Sequence, residues 1–579
     1  MTNPGRLALS LQDLAGADGS RPDRYKWVVL SNTTLGMLMA TIDISIMLIA
    51  LPDIFNGIGL DPLLPGNSFY LLWMILSFMV VTAVLVVSFG RLGDMFGRVK
   101  MYNLGFAVYT FFSLLLSITW MSGTNAAIYL VVMRVFQGVG AAFLIANSSA
   151  ILTDAFPEDQ RGMALGVNQI AGISGSFIGL ILGGLLAPIN WRLIFLVSVP
   201  IGLLGTVWAY HSLREIPRKI DTNVDWWGNV TFALGLVSIL VAVTYGIQPY
   251  GGRTMGWLSP TVLISAALGV LLLTAFCFIE LRSDDPMFRL QLFRIRAFTA
   301  GSISSFLSSL GRGGLMFMLI IWLQGIWLPL HGYNFVDTPL WAGIAMLPLT
   351  VGFLIAGPIS GILSDHYGSR PFATGGMLAA AASFAALELL PVDFAYWQFG
   401  LLLLCNGLSM GAFAAPNRAG VMNSLPTEHR GVGSGMNSTF QNTGQVLSIG
   451  VFFTLMIIGL SVTLPSDLAQ GLIAQGVPAG VAHRAASLPP VSTLFASFLG
   501  YNPMQHLLGS QVIASLPESA QATILGREFF PTIISNAFRN GLHAACDAAV
   551  LFCLLAAGTS WMRGGKYVYE EPVQAAAPR

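Results

Sequence analysis

The feature that most constrains this chain is a series of apolar runs, each about as long as a helix needs to cross a bilayer. Fourteen are read, at roughly 27–51, 69–89, 101–121, 127–152, 163–187, 192–213, 227–248, 257–280, 298–323, 341–363, 372–391, 396–417, 432–460 and 541–562. About 20 residues at about 1.5 Å each match a hydrocarbon core about 30 Å thick. In that core every peptide group must be satisfied internally, so the runs predict an all-α integral membrane protein. Only 9% of the 579 residues are Asp, Glu, Lys or Arg, against about 25% in soluble domains. That is too little charge for the skin of a soluble protein of this size. Soluble enzymes, nucleic-acid binders and disordered chains are excluded on this ground.

Lys and Arg orient the spans. With an even number of spans both termini share one side, and that side receives 21 of the 28 basic residues, against 5 on the other. The remaining two, Arg134 and Arg312, lie inside spans. Basic loops mark the cytoplasmic face, so both termini are expected in the cytoplasm and the protein in the cytoplasmic membrane. The start of the chain shows no signal-peptide pattern. Cys277, Cys405, Cys546 and Cys553 all fall in apolar runs, and no disulfide framework is expected.

The chain also repeats itself. Gly90, Leu92, Asp94 and Gly97 return as Gly361, Leu363, Asp365 and Gly368. At nearly the same separation, Pro157, Arg161, Gly162 and Gly166 return as Pro426, Arg430, Gly431 and Gly435, while Gly138 and Gly175 return as Gly407 and Gly444. Two collinear matches predict two six-span halves with two further spans inserted between them. Rocking of such halves about a site at midplane gives alternating access. The expected organisation is a cytoplasmic tail (1–26), a first six-helix bundle (27–213), a linker with two extra spans (214–297), a second bundle (298–562) and a tail (563–579). Residues 461–540 are expected to form an extracellular helical cap within the second bundle. Leu468, Leu472, Ile473 and Val477, then Leu507, Leu508, Val512 and Ile513, are spaced as in short amphipathic helices.

These residues resemble the major facilitator superfamily. The segment from Gly90 to Lys100 is similar to its loop motif between helices 2 and 3. Leu130 to Gly140, with Arg134 embedded, resembles the helix 4 motif, and Gly175, Gly179, Gly183 and Gly184 resemble the antiporter motif of helix 5. Asp43 with Ala50-Leu51-Pro52, and Trp191-Arg192 through Gly202, resemble signatures of the fourteen-span drug–proton antiporter branch. Leu180 stands where the helix 5 motif usually has Pro, and Leu48 and Ser198 stand where Asn is usual. The resemblance implies the major facilitator fold with 14 transmembrane helices. It also implies a secondary active transporter rather than an enzyme, and export coupled to protons.

Charge inside a membrane points to mechanism, because an ionised side chain at mid-span costs about 2.5–3.5 kcal/mol on insertion scales. Asp43 and Arg134 are read as a proton-responsive pair on helices facing the central cavity. A neighbouring cation favours the carboxylate and burial favours the acid, so movement between wet and dry states would load and release a proton. Gly90, Asp94, Gly97, Arg98 and Asp154 are read as a cytoplasmic latch, with Asp365 and Arg370 in the second copy. Arg98 can pair with either Asp94 or Asp154. The helix 5 glycines, at steps of four, lay a bare stripe that lets another helix approach, and the antiporter reading makes it a seal between the halves. Gln137, Asn168, Phe440 and Gln441 are candidate cavity residues, together with Arg312 and Asp547. Arg312 is read as a contact for an anionic headgroup or as the counter-charge of Asp547.

No nucleotide-binding Gly-x-x-x-x-Gly-Lys-Ser/Thr string occurs, and no metal-ligand spacing. No cofactor or metal is expected, and pumping must draw on an ion gradient. The expected partners are membrane lipids, protons and an amphipathic small molecule, with no nucleic acid. The leading reading is a proton-coupled efflux transporter for drugs or other amphipathic compounds, cationic ones among them. The alternatives are an exporter of a lipid or cell-envelope precursor, which Arg312 and the large cap would fit, and a nontransporting membrane sensor or scaffold.

Overall fold

The structure is a computed structural model that describes residues 21–565, apart from 62–63, 65, 216–224, 284–285, 287, 427–429, 488 and 499–501. Most of both expected tails, and the Asp365 side chain, lie outside the described part. Helices make up the architecture, and the described residues contain no β-strand, only an isolated bridge between Tyr250 and Arg253.

The first half comprises α1 (Arg21–Ile58), α2 (Asn67–Phe96), α3 (Arg98–Ser117), α4 (Gly123–Ala155), α5 (Glu158–Leu186) and α6 (Leu193–Ser212). Two inserted helices follow, α7 (Trp226–Gly246) and α8 (Pro260–Arg282). The second half begins with α9 (Arg296–Leu330), α10 (Thr338–Ser364), α11 (Ser369–Glu388), α12 (Tyr396–Asn423) and α13 (Arg430–Ala474). Four short helices come next: α14 (Ala479–Ala486), α15 (Pro490–Phe498), α16 (Met504–Ala514) and α17 (Glu518–Leu525). The last helix is α18 (Phe529–Trp561).

Thirteen of the described helices are long and apolar enough to cross a membrane. The remaining expected span, 372–391, is the 20-residue helix α11, packed against α12 and α18. Arg370, Pro371 and Glu388 at its ends, with Thr374, Gly375, Gly376 and Ser383 inside it, lower its mean hydropathy. The ends of the 461–540 segment belong to the long helices, since α13 runs on to Ala474 and α18 already begins at Phe529. Leu464, Leu468 and Leu472 are buried on the α13 extension, so this part is amphipathic rather than apolar and a hydropathy reading ends too early.

The repeat in sequence is a repeat in packing. α1 packs on α5 as α9 packs on α13, and α2 on α4 as α10 on α12. α3 packs on α4 and α6 as α11 packs on α12 and α18. The repeated glycines sit at these contacts. A Cβ on Gly175 would meet the Leu38 carbonyl oxygen of α1 at 2.7 Å, and one on Gly444 would meet the Phe306 carbonyl oxygen of α9 at 2.6 Å. Gly138 and Gly407 likewise lie against the backbones of α2 and α10. Gly97 (φ +108°) and Gly368 (φ +83°) make the equivalent breaks between consecutive helices, a conformation that favours glycine. The halves meet along two seams, α2 with α13 and α5 with α10.

Candidate functional site

A polar cluster lies inside the first half. Asp43 of α1 and Arg134 of α4 form an ion pair through Oδ2 and Nη1. Gln137, one turn beyond Arg134 on the same helix face, donates to Asp43 Oδ1 at 3.0 Å and to Ser113 Oγ of α3 at 2.9 Å. Its carbonyl oxygen accepts from Arg134 at 3.1 Å. The guanidinium also donates to the Met74 carbonyl of α2 at 3.1 Å and lies 4.7 Å from the centre of the Phe78 ring. Asp43 and Gln137 are 0% exposed and Arg134 is 1% exposed. The pair, expected on helices that face the central cavity, has no exposed surface to speak of and is enclosed among α1 to α4. Gln137, expected in the cavity, belongs to this cluster. A charge pair enclosed in this way is held by mutual compensation, and removal of either partner strands the other in a low-dielectric interior.

A second network closes the end of the first half where the basic residues gather. Arg98, at the start of α3, pairs with both of its expected partners, Asp94 of α2 at 2.6 Å and Asp154 of α4 at 2.7 Å. It also donates to the Ala150 carbonyl at 3.2 Å. Glu215, not anticipated from sequence, accepts from the α3 backbone amides of Lys100 at 3.0 Å and Val99 at 3.4 Å. It thereby satisfies donors that a helix start leaves open. A Cβ on Gly97 would meet the Glu215 carboxylate at 2.7 Å, whereas one on Gly90 would find nothing nearer than 3.9 Å. In the second half, Arg370 lies 3.7 Å from the centre of the Trp561 ring. The position of Arg98 is taken there by Ser369, whose hydroxyl accepts from Arg563 at 3.1 Å. Arg563 also pairs with the Asn417 side chain, and burial pushes its guanidinium down to about 10, still cationic at neutral pH.

The helix 5 stripe works mostly inside one half. Gly175, Gly179 and Gly183 face the α1 backbone at Leu38, Ile42 and Ile46. Only Gly184 reaches the other half, against Leu340 of α10. The expected seal between halves is thus a seam within the first half plus one glycine at the α5–α10 contact. The reason is rotation: a step of four keeps three glycines on one face, and the next residue turns about 100° away. Leu180, where the motif usually has Pro, leaves α5 continuous, and its backbone packs against Gly343 of α10.

The remaining expected cavity residues separate. Asn168 is buried and donates to Ser148 Oγ at 3.1 Å, inside the first half. Phe440 of α13 lies edge-on to Phe293 and Phe306, with ring centres 5.8 and 6.4 Å apart. Gln441 is half-buried. Asp547 is exposed on α18 and forms no ion pair with Arg312. The helix phase explains this, since Gly311 faces α18 at Phe552 while Arg312 is turned one residue away. Arg312 is half-buried near the middle of α9. Arg418 of α12, not singled out from sequence as a site residue, has the same character, and it donates across the interface to Gln169 of α5.

Comparison with known proteins gives one answer for the fold. Residues 33–449 match the Major Facilitator Superfamily. The chain is 28% identical to a riboflavin transporter of Clostridioides difficile, over 74% of this chain and 88% of that one. It is 28% identical to a methyl viologen resistance protein of Salmonella typhimurium, over 80% and 90% of the two chains. It is 23% identical to a multidrug transporter of Bacillus subtilis, over 92% and 91%. Among solved structures, an inward-facing bacterial homologue of the human lysosomal transporter Spinster aligns with a TM-score of 0.54 at 16% identity, covering 94% of this chain and 98% of that one.

Proposed function

The chain belongs to the major facilitator superfamily, and on that premise we propose that it exports amphipathic compounds across the cytoplasmic membrane against an inward flow of protons. The observation that carries the coupling is the cluster of Asp43, Arg134, Gln137 and Ser113, a carboxylate with both oxygens engaged and no exposure. In this conformation Asp43 has no exposed surface. Coupling then requires a second conformation in which the wall formed by α1 to α4 opens and Asp43 exchanges its partner for a proton. Alternating access supplies such a movement. The relatives named for methyl viologen resistance and for multidrug transport support export, and the lopsided distribution of Lys and Arg supports cytoplasmic termini.

The test is flux in proteoliposomes with an imposed proton gradient, using a panel of fluorescent amphipathic dyes. Gradient-driven dye movement is expected in the native protein. Asp43→Asn is expected to abolish the dependence on the gradient while leaving downhill exchange. Gradient-driven flux retained by Asp43→Asn would exclude Asp43 as the proton carrier. Absence of any flux would favour a sensor or scaffold.

A further inference from the structure

Among the charged groups inside the bundle, Arg134 is balanced by Asp43, and Arg98 by Asp94 and Asp154. Arg312 and Arg418 are not balanced, because no carboxylate among the described residues stands against either guanidinium. Ionised groups that deep in a membrane protein ordinarily pair or line a polar pathway.

The register of α9 against α12 places the two cations. Asn417 donates to the Gly301 carbonyl at 3.1 Å and to Ser305 Oγ at 2.7 Å, and the Ser308 hydroxyl meets Met410 Sδ at 3.9 Å. Arg312 lies one turn beyond Ser308 on the same face of α9, and Arg418 follows Asn417. The two side chains therefore start about three turns apart, roughly 15 Å along the helices. Both are half-buried on helices of the second half. Arg418 uses one donor on Gln169 of the opposite half, and a guanidinium has five. Phe306 of α9 and Phe440 of α13 supply half-buried apolar surface in the same half.

We propose that the cavity between the halves takes an acidic amphiphile, its carboxylate, phosphate or sulfonate held between Arg312 and Arg418 and its apolar body along Phe306 and Phe440. This gives the substrate class for the export reading above and rests on it only for the direction of transport. An acid group supplies the missing counter-charge, and guanidinium forks suit carboxylate and phosphate oxygens. Because Arg418 also holds Gln169, a bound acid shares its guanidinium with a contact between the halves, which couples occupancy to the interface that must rearrange.

The test is binding to the full-length protein in phosphatidylcholine nanodiscs. The probes are a dansyl-labelled undecanoic acid and its uncharged methyl ester. The acid is expected to bind about tenfold or more tighter than the ester. Arg312→Gln and Arg418→Gln are each expected to remove that preference while ester binding persists, which also shows that the variants are folded. Arg312→Lys is expected to keep part of it. Competition by dodecyl phosphate would show that a free acid suffices, and competition by phosphatidylglycerol in the discs would identify a lipid headgroup as the source. Equal affinity for acid and ester, or an unchanged preference in both Gln variants, would overturn the proposal. Acid binding without gradient-driven flux would leave this inference standing and count against the export reading alone.

Discussion

The Gln137 amide donates to Asp43 Oδ1 at 3.0 Å, taking the carboxylate oxygen opposite the one that pairs with Arg134. Asp43 is therefore held from two positions one turn apart on α4. Gln137→Leu removes the amide and leaves Asp43 Oδ1 and Ser113 without that partner. It is expected to cost about 1–3 kcal/mol, seen as a lower unfolding temperature in detergent.

Breaking the ion pair is expected to be worse than removing it whole. Arg134→Met strands a buried carboxylate, at a cost of about 3–5 kcal/mol. The double variant Asp43→Leu with Arg134→Met is expected to be more stable than Arg134→Met alone, because neither charge is then left uncompensated. Thermal unfolding of the two single variants and the double variant checks this. A double variant as unstable as the sum of the singles would show that the pair is not mutually compensated.

The glycines of the first half separate into two classes. Gly179→Ala drives a methyl group into the Ile42 carbonyl of α1, whereas Gly90→Ala meets nothing closer than 3.9 Å. Poor expression and aggregation on size-exclusion chromatography are expected for the first, and a native-like profile for the second.

Glu215 caps the start of α3. Glu215→Ala is expected to lower stability by about 0.5–2 kcal/mol, the usual range for a lost cap. Glu215→Gln keeps an acceptor and is expected to retain most of it. Unfolding midpoints of the two variants distinguish the cap from a nonspecific surface charge.

The segment between α13 and α18 touches the first half, since α15 packs on α2 and His506 lies 3.8 Å from Asp61. Asp61→Cys with His506→Cys, in a background where the exposed Cys277 and Cys405 are Ser, offers a site for a short bis-maleimide. Cross-linking is expected to stop transport if the two halves must part at that end. Flux at the native rate in a cross-linked sample would show that they need not.

The spans were legible because length and apolarity set them, and the repeat was legible because glycine at a helix crossing is read directly as glycine. Partners were less legible. The glycine stripe shows that α5 has a bare face, but spacing does not name the helix that fills it, and the structure gives α1. Asp43 with Arg134 followed from two rare charges in one half. Gln137 was on the same helix face three residues on, a signal present in the spacing and assigned instead to the cavity. Arg312 with Asp547 shows the limit of pairing by elimination, because helix phase sets which way each side chain turns. Glu215 lies far along the chain from the helix that it caps, and nothing local marks it.

The inserted pair makes the two seams between the halves unequal. α7 follows α2 from Asn229 beside Ser88 at one end to Tyr245 beside Phe69 at the other, where the rings are 5.4 Å apart. Its Val243 also touches Gly450 of α13, so a helix roofs the α2–α13 seam. α8 packs mainly on α7, and most of its surface is left outward. The pseudo-twofold that relates the halves is thus broken toward the surrounding lipid. A hydrophobic compound diffusing in the bilayer meets a covered flank on one side and the α5–α10 flank, with Gly184 and Leu340 at its contact, on the other.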